Sequence, residues 1–75
     1  MKLSELKAGE SGLIIALNEL SIDIRKKLMV MGLLPNTQVT LIRRAPMGDP
    51  LQIEVRGVSI AVRESIASAV EVEKV

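Results

Sequence analysis

Two neighbouring stretches in the second half of the chain alternate apolar and polar residues with a period of two. They are residues 51–56 and 58–63, with Gly57 between them. A period of two places the apolar side chains of a strand on one face. The pattern therefore predicts a β-hairpin that turns at Arg56-Gly57 and has one buried face.

Three further segments have the composition of strands. Residues 12–18 are almost continuously apolar, which predicts a first strand that is buried on much of both faces. Residues 38–44 and 69–73 each place two aliphatic side chains on one face. Pro46 and Pro50 separate the second and third strands, because proline lacks the backbone donor that a strand ladder needs.

One helix is predicted at residues 21–31. Ser21 can cap its N-terminus, and Gly32 can adopt the left-handed conformation that ends many helices. Apolar residues at positions i, i+4 and i+7 form one face, which we expect to pack in the core: Ile24, Leu28 and Met31.

These elements predict a mainly β fold in a single domain, residues 1–75. Five short strands, one helix inserted after the first strand and a helical turn at residues 64–67 before the last strand suit a small SH3-like β-barrel. Closure into a barrel would remove most free strand edges. The core must be aliphatic and free of disulfides, because the chain contains no aromatic residue and no cysteine.

Composition argues against several classes of function. With ten basic and nine acidic residues and no aromatic side chain, the chain lacks the clustered positive charge and the stacking groups of nucleic-acid-binding proteins. It has no histidine, the usual general base near neutral pH. We therefore expect no catalytic residues, no enzyme and no nucleic-acid partner.

The distribution of charge along the chain also bears on its location. Charged residues interrupt every apolar stretch before about 18 residues accumulate, the minimum for a membrane-spanning helix. Lys2, Glu5 and Lys7 likewise break any apolar region of a signal peptide. We expect a cytoplasmic protein that does not insert into a membrane.

Several motifs taken together resemble the FeoA family, small cytoplasmic components of bacterial ferrous iron uptake. Residues 25–35, with basic residues followed by Leu, Gly-Leu and Pro, are similar to one family motif, and residues 45–51 resemble its most recognisable loop. The resemblance covers essentially the whole chain. It departs at Asn36, where the family usually has glycine, a mild change because asparagine visits the left-handed region readily.

The resemblance implies an SH3-like barrel and an accessory role toward the large membrane GTPase that carries Fe²⁺ across the inner membrane. The chain would be recruited to that membrane through its partner and would need no cofactor. The alternative is a freestanding relative of the SH3-like domains of iron-dependent transcriptional repressors. Those repressors also carry a helix-turn-helix module with metal ligands, which this chain lacks.

Residue content argues against an iron site on the chain itself. Fe²⁺ sites use imidazole, carboxylate or sulfur ligands, and here imidazole and thiolate are absent. The carboxylates are dispersed, and Met1 and Met47 are far in sequence from Met29 and Met31. Core packing for Met31 and surface exposure for Met29 are the expected roles. We predict no tight binding of Fe²⁺.

A partner-binding surface is predicted on the outward side of the helix. At 100° per residue, four residues lie opposite the predicted core face: Ile22, Arg25, Lys26 and Met29. Two of them are apolar at positions that the helical period assigns to solvent, beside two cations. The competing interpretation is an ordinary solvated helix face.

The segment Pro46–Pro50, called the proline loop below, is the second predicted contact. Met47 lies at its tip, where a rigid barrel would present it to a partner. Asp49 is expected to bond to local backbone N–H groups. The competing interpretation is a plain hairpin connection whose prolines suppress strand pairing.

Overall fold

A computed structural model describes all 75 residues. Its elements in chain order are a one-turn 3₁₀-helix (Leu3–Glu5), β1 (Ser11–Ala16), α1 (Ile22–Val30), β2 (Gln38–Arg44), β3 (Leu51–Val55), β4 (Val58–Val62), α2 (Glu64–Ala67) and β5 (Glu71–Lys74). Each predicted strand and helix begins and ends within two residues of an observed one. The mainly β prediction with one inserted helix is confirmed, and the 3₁₀-helix was not predicted.

The five strands form one antiparallel sheet in the order β4-β3-β2-β1-β5. Register shifts in the β1–β5 and β2–β3 pairs add an extra residue on one strand, which bends and twists the sheet. β4 and β5 do not pair with each other, so hydrogen bonds do not close the sheet into a full barrel. The fold is barrel-like with one open side.

The hairpin between β3 and β4 turns where the alternating pattern predicted. Arg56 and Gly57 both have positive φ, 52° and 79°, which is the signature of a type I′ turn. Val55 and Val58 pair directly across it. The twist of this turn matches that of the two strands, so the pairing continues without a bulge to the end of β4.

Both ends of α1 are set by the residues that the sequence indicated. The Ser21 hydroxyl accepts a hydrogen bond from the Ile24 backbone N–H at 3.3 Å. Beyond the last turn, Gly32 has a φ of +104°, and the Leu33 backbone N–H donates to the Leu28 carbonyl at 2.9 Å. This is the Schellman arrangement, and it fixes the helix boundary.

The inner face of the sheet holds an aliphatic core. Its members come from the 3₁₀-helix, all five strands, both helices and the connecting segments: Leu3, Leu6, Ile14, Leu17, Leu20, Leu28, Leu33, Val39, Leu41, Leu51, Ile53, Val55, Val62, Ala67, Val70 and Val72. Neither α-helix is long and apolar enough to cross a membrane.

Two burial predictions are wrong. Leu13 and Ile15 of β1 are exposed, because no layer of structure covers the outer face of the sheet. Met31 is 44% exposed and does not belong to the core. The helical period correctly predicts which face of α1 is turned toward the core. It does not predict how much of that face is covered, and Leu28 is the only buried residue of the helix.

Candidate functional site

An open groove runs beside α1. It has a volume of about 260 Å³ and lies between α1 and the β4–α2 segment. Four residues of α1 and its C-cap and four of the opposite segment line it: Ile24, Lys27, Leu28, Met31, Ala61, Val62, Arg63 and Ile66. The helix face that the sequence assigned to the core is thus only half covered, and the uncovered part forms one wall of this groove.

The charge around the groove is positive and unpaired. Lys27 and Arg63 line the groove, Lys26 neighbours Lys27 on α1, and Arg56 lies farther away at the β3–β4 turn; all four are exposed, and none takes part in an ion pair. Four of the five ion pairs join the N-terminal segment, the residues that flank β1, and β5, and the fifth joins Arg44 to Glu64 at the start of α2. Exposed cations without partners can attract an acidic ligand before contact and orient it at the rim.

The four residues of the predicted partner-binding surface on α1 are mostly exposed, as expected. Ile22 and Lys26 are exposed, and Met29 is 38% exposed. Arg25 differs from the expectation. It is half-buried, and its Nε atom is enclosed without a hydrogen-bond partner. The outward apolar character of α1 is therefore real, while one of its two predicted cations lies partly within the domain.

One exposed apolar residue of α1 was missed by the sequence reasoning. Val30 is among the most exposed side chains of the chain. With Lys26, Lys27 and Met31 it lines a shallow depression of about 420 Å³. The helical spacing could have predicted this exposure, because Val30 stands four residues after Lys26 and so lies on the same side of the helix.

The proline loop projects as predicted but is anchored differently. Met47 is almost fully exposed at its tip. Asp49 does not bond to local backbone. Its carboxylate instead accepts a hydrogen bond from the Glu64 backbone N–H at 3.0 Å, at the first residue of α2. A free backbone N–H at a helix start readily donates a hydrogen bond to a carboxylate, and local spacing cannot reveal which carboxylate will accept it. The loop and α1 therefore both adjoin the β4–α2 segment.

The perturbed carboxyl and ammonium groups lie away from the groove. Hydrogen bonds from the Lys74 ammonium, at 2.5 Å, and from the Lys7 backbone N–H lower the pKa of Glu10. Contacts with Glu19 and Glu71 raise the pKa of Lys2. These exposed pairs join β1, β5 and the N-terminal segment. No group of three or more His, Cys, Asp or Glu side chains is placed to hold a metal ion.

The fold and the surface define a small β domain with one inserted helix and an apolar, cationic side. The FeoA domain model matches residues 1–74, so this chain belongs to the FeoA family. The family prediction made from the motifs is confirmed.

Solved structures confirm the fold. A FeoA protein from Chlorobium tepidum is 32% identical, superimposes with a TM-score of 0.95 and is covered over 70% of its length by the whole of this chain. A Stenotrophomonas maltophilia FeoA, solved with zinc, is 29% identical, with a TM-score of 0.83 over 97% of this chain and 89% of its own. That relative is described as an SH3 domain protein, which confirms the SH3-like prediction.

A curated relative from Porphyromonas gingivalis is a fusion of Fe(2+) transport protein A with the Fe(2+) transporter FeoB. It is 29% identical over 97% of this chain, which spans only 8% of the fusion's length. A manganese-dependent transcriptional repressor shares the fold with a TM-score of 0.89 over 40% of its length. At 11% identity, that likeness is one of fold alone.

Proposed function

We propose that this chain is an accessory, regulatory protein of bacterial ferrous iron uptake, which binds the cytoplasmic part of the membrane GTPase transporter. The observation that carries the proposal is the fused relative, in which a segment like this chain and the transporter form one polypeptide. Fusion raises the effective concentration of two modules for each other, which is useful when they act together. The activating role proposed for the Stenotrophomonas maltophilia relative agrees with it.

The binding surface in this proposal is the outward side of α1, with the proline loop as a second contact. Ile22 and Met29 supply apolar surface, and Arg25 and Lys26 supply the positive charge. An apolar side chain near the centre of an interface slows dissociation, while charges at the rim mainly speed association. Met47 extends the contact from the loop.

The domain acts by binding and has no chemical step of its own. It works in the cytoplasm and reaches the inner membrane through its partner. The repressor alternative receives no support beyond a common fold, because the manganese-dependent repressor is only 11% identical to this chain.

Replacing Met29 with Asp tests the apolar part of the surface. We expect binding to the purified cytoplasmic region of the transporter to weaken by about tenfold or more, because a charge would be buried in the interface. Ile42→Asp is the matched control, since Ile42 is 40% exposed but lies in β2. Equal affinities for the two variants, both folded by circular dichroism, would contradict the proposed surface.

The charged part of the surface is tested through the association rate. Replacing Arg25 and Lys26 together with Glu should slow association, and the difference from the parent should shrink as salt concentration rises. Arg43→Glu, a single reversal on β2, serves as the control for a general effect of charge. An association rate unchanged at low salt would exclude steering by these cations.

A further inference from the structure

The two edge strands of the sheet differ in whether another segment pairs with their outer side. The outer edge of β5 is covered by the N-terminal segment: the Leu3 backbone N–H donates to the Val70 carbonyl at 2.9 Å, and the Val72 N–H donates to the Met1 carbonyl at 2.8 Å. At the other end of the sheet, β4 pairs with β3 alone. One edge is therefore closed and the other is open.

The register of the hairpin identifies the free backbone groups on β4. In a two-residue hairpin, the residues that flank the turn exchange hydrogen bonds, here Val55 and Val58. Every second residue of β4 then bonds to β3. The N–H and C=O groups of Ser59 and Ala61 point the other way, toward the open edge. They are ready to pair with an added strand.

β4 also lacks the features that normally protect an edge strand. Its sequence, Val58-Ser59-Ile60-Ala61-Val62, contains no charge and no proline, and its pairing with β3 has no bulge. Natural edges usually carry at least one such device, because an unprotected edge pairs with other chains. β4 has none of these protective features, which indicates that its free edge pairs with another strand.

The groove supplies side-chain contacts for a strand added at this edge. Ala61 and Val62 point to opposite faces of β4, yet both line the groove, so the groove follows the strand edge itself. Its floor is apolar, and two cations, Lys27 and Arg63, line it. Arg56 adds a third at the opposite end of β4.

We propose that β4 receives an extended segment of another protein as a sixth strand, and that apolar and acidic side chains alternate along this segment. Its apolar side chains would contact Met31 and Ile66, and its acidic ones would meet Lys27 and Arg63. Main-chain pairing gives such complexes affinity, and alternate side chains give them specificity. A second copy of this chain is disfavoured, because it would bring the same cations to the interface. The inference goes beyond the proposed function, since it holds whichever protein supplies the segment.

A synthetic eight-residue peptide in which valine and glutamate alternate is the probe. On titration into the labelled domain, we expect the amide signals of Ser59 and Ala61 to shift and their hydrogen exchange to slow by about tenfold or more. Two control peptides should fail. One replaces glutamate with lysine, and the other carries two adjacent central prolines, which cannot donate to β4.

Charge reversal on the domain gives an independent test. In the double variant Lys27→Glu, Arg63→Glu, binding of the glutamate peptide should fall by about tenfold, and the lysine peptide should now bind. Both positions are exposed, so the fold should tolerate the change. Met29→Asp lies outside the groove and should leave peptide binding unchanged. A loss of transporter binding in that variant thus reports on the proposed function alone.

Three results would overturn the inference. The first is no binding of the glutamate peptide at millimolar concentration. The second is saturable binding that shifts α1 signals without slowing exchange at Ser59 and Ala61, which would mean contact with the groove and no strand pairing. The third is slowed exchange at those amides that depends on protein concentration without peptide, which would assign the edge to a second copy.

Discussion

β3 and β4 carry the same alternating sequence pattern but lie in different surroundings. In β3, Leu51, Ile53 and Val55 are all buried, whereas in β4 Val58 is 56% exposed and only Val62 is buried. β3 lies between two strands, and β4 forms the open edge beside the groove. A period of two therefore reports that a strand has an apolar face, and it does not report that another element covers that face.

The same contrast separates two sides of the whole domain. On the β1–β5 side, the N-terminal segment pairs with β5, and exposed ion pairs join neighbouring elements. On the α1–β4 side, apolar residues remain exposed and the cations have no partners. Apolar side chains are exposed on both sides, Leu13 and Ile15 of β1 included, but the α1–β4 side also has an open strand edge and cations without ion pairs. We therefore assign structure to the first side and recognition to the second.

The largest expected effect is a difference in stability between variants at two residues on one face of α1. Leu28→Ala should lower the free energy of unfolding by about 2–5 kcal/mol, the usual cost of deleting a buried leucine side chain. Met31→Ala should cost less than about 1 kcal/mol, because that side chain is 44% exposed and lies outside the core. Chemical denaturation measures both. Similar losses at the two positions would mean that the open side is packed after all.

A smaller difference in stability is expected between variants of the two directly paired valines of the hairpin. Val55→Ala removes buried methyl groups and should cost about 2 kcal/mol. Val58→Ala, across the same pair, should stay within about 0.5 kcal/mol of the parent. Thermal unfolding of the two variants side by side checks this. A cost at Val58 equal to that at Val55 would remove the distinction between β3 and β4.

The ion pairs of the closed side predict a modest dependence on pH. The pKa of Glu10 is lower in the folded chain than the ordinary value of 4.5, because of the Lys74 ammonium and the Lys7 backbone N–H. Its contribution to stability is present above that ordinary value and is lost as the pH falls through the lowered pKa.

Glu10→Gln should therefore lose less stability than the parent when the pH is lowered from about 5 to about 3. Glu54→Gln, at an exposed position without an ion pair, is the matched control and should follow the parent. Denaturation curves at several pH values measure the difference. Parallel pH dependence of Glu10→Gln and the parent would exclude the pair as a source of stability.

The smallest expected effect is on metal binding, where neither side of the domain offers a suitable ligand set. Without histidine or cysteine, the isolated domain should bind Fe²⁺ no more tightly than scattered surface carboxylates do. Anaerobic calorimetric titration is the measurement. A stoichiometric site with submicromolar affinity would contradict this expectation.

Local signals predicted most of the fold. Ser21 and Gly32 defined α1, and the alternation on either side of Arg56-Gly57 defined the hairpin. Contacts between distant segments could not be predicted from the sequence, because no local pattern places the Asp49 carboxylate at the start of α2. The exposure of Met31 was missed for the same reason, since it depends on how far the β4–α2 segment extends along α1.

The division between a closed side and a recognition side is tested most directly by mapping the transporter's contact on the domain. The purified cytoplasmic region of the transporter would be titrated into the isotope-labelled chain, and backbone amide signals would be followed by NMR. We expect the shifts to concentrate in α1, in β4 and in the proline loop, with β1 and β5 unchanged. Shifts confined to β1, β5 and the N-terminal segment would contradict it.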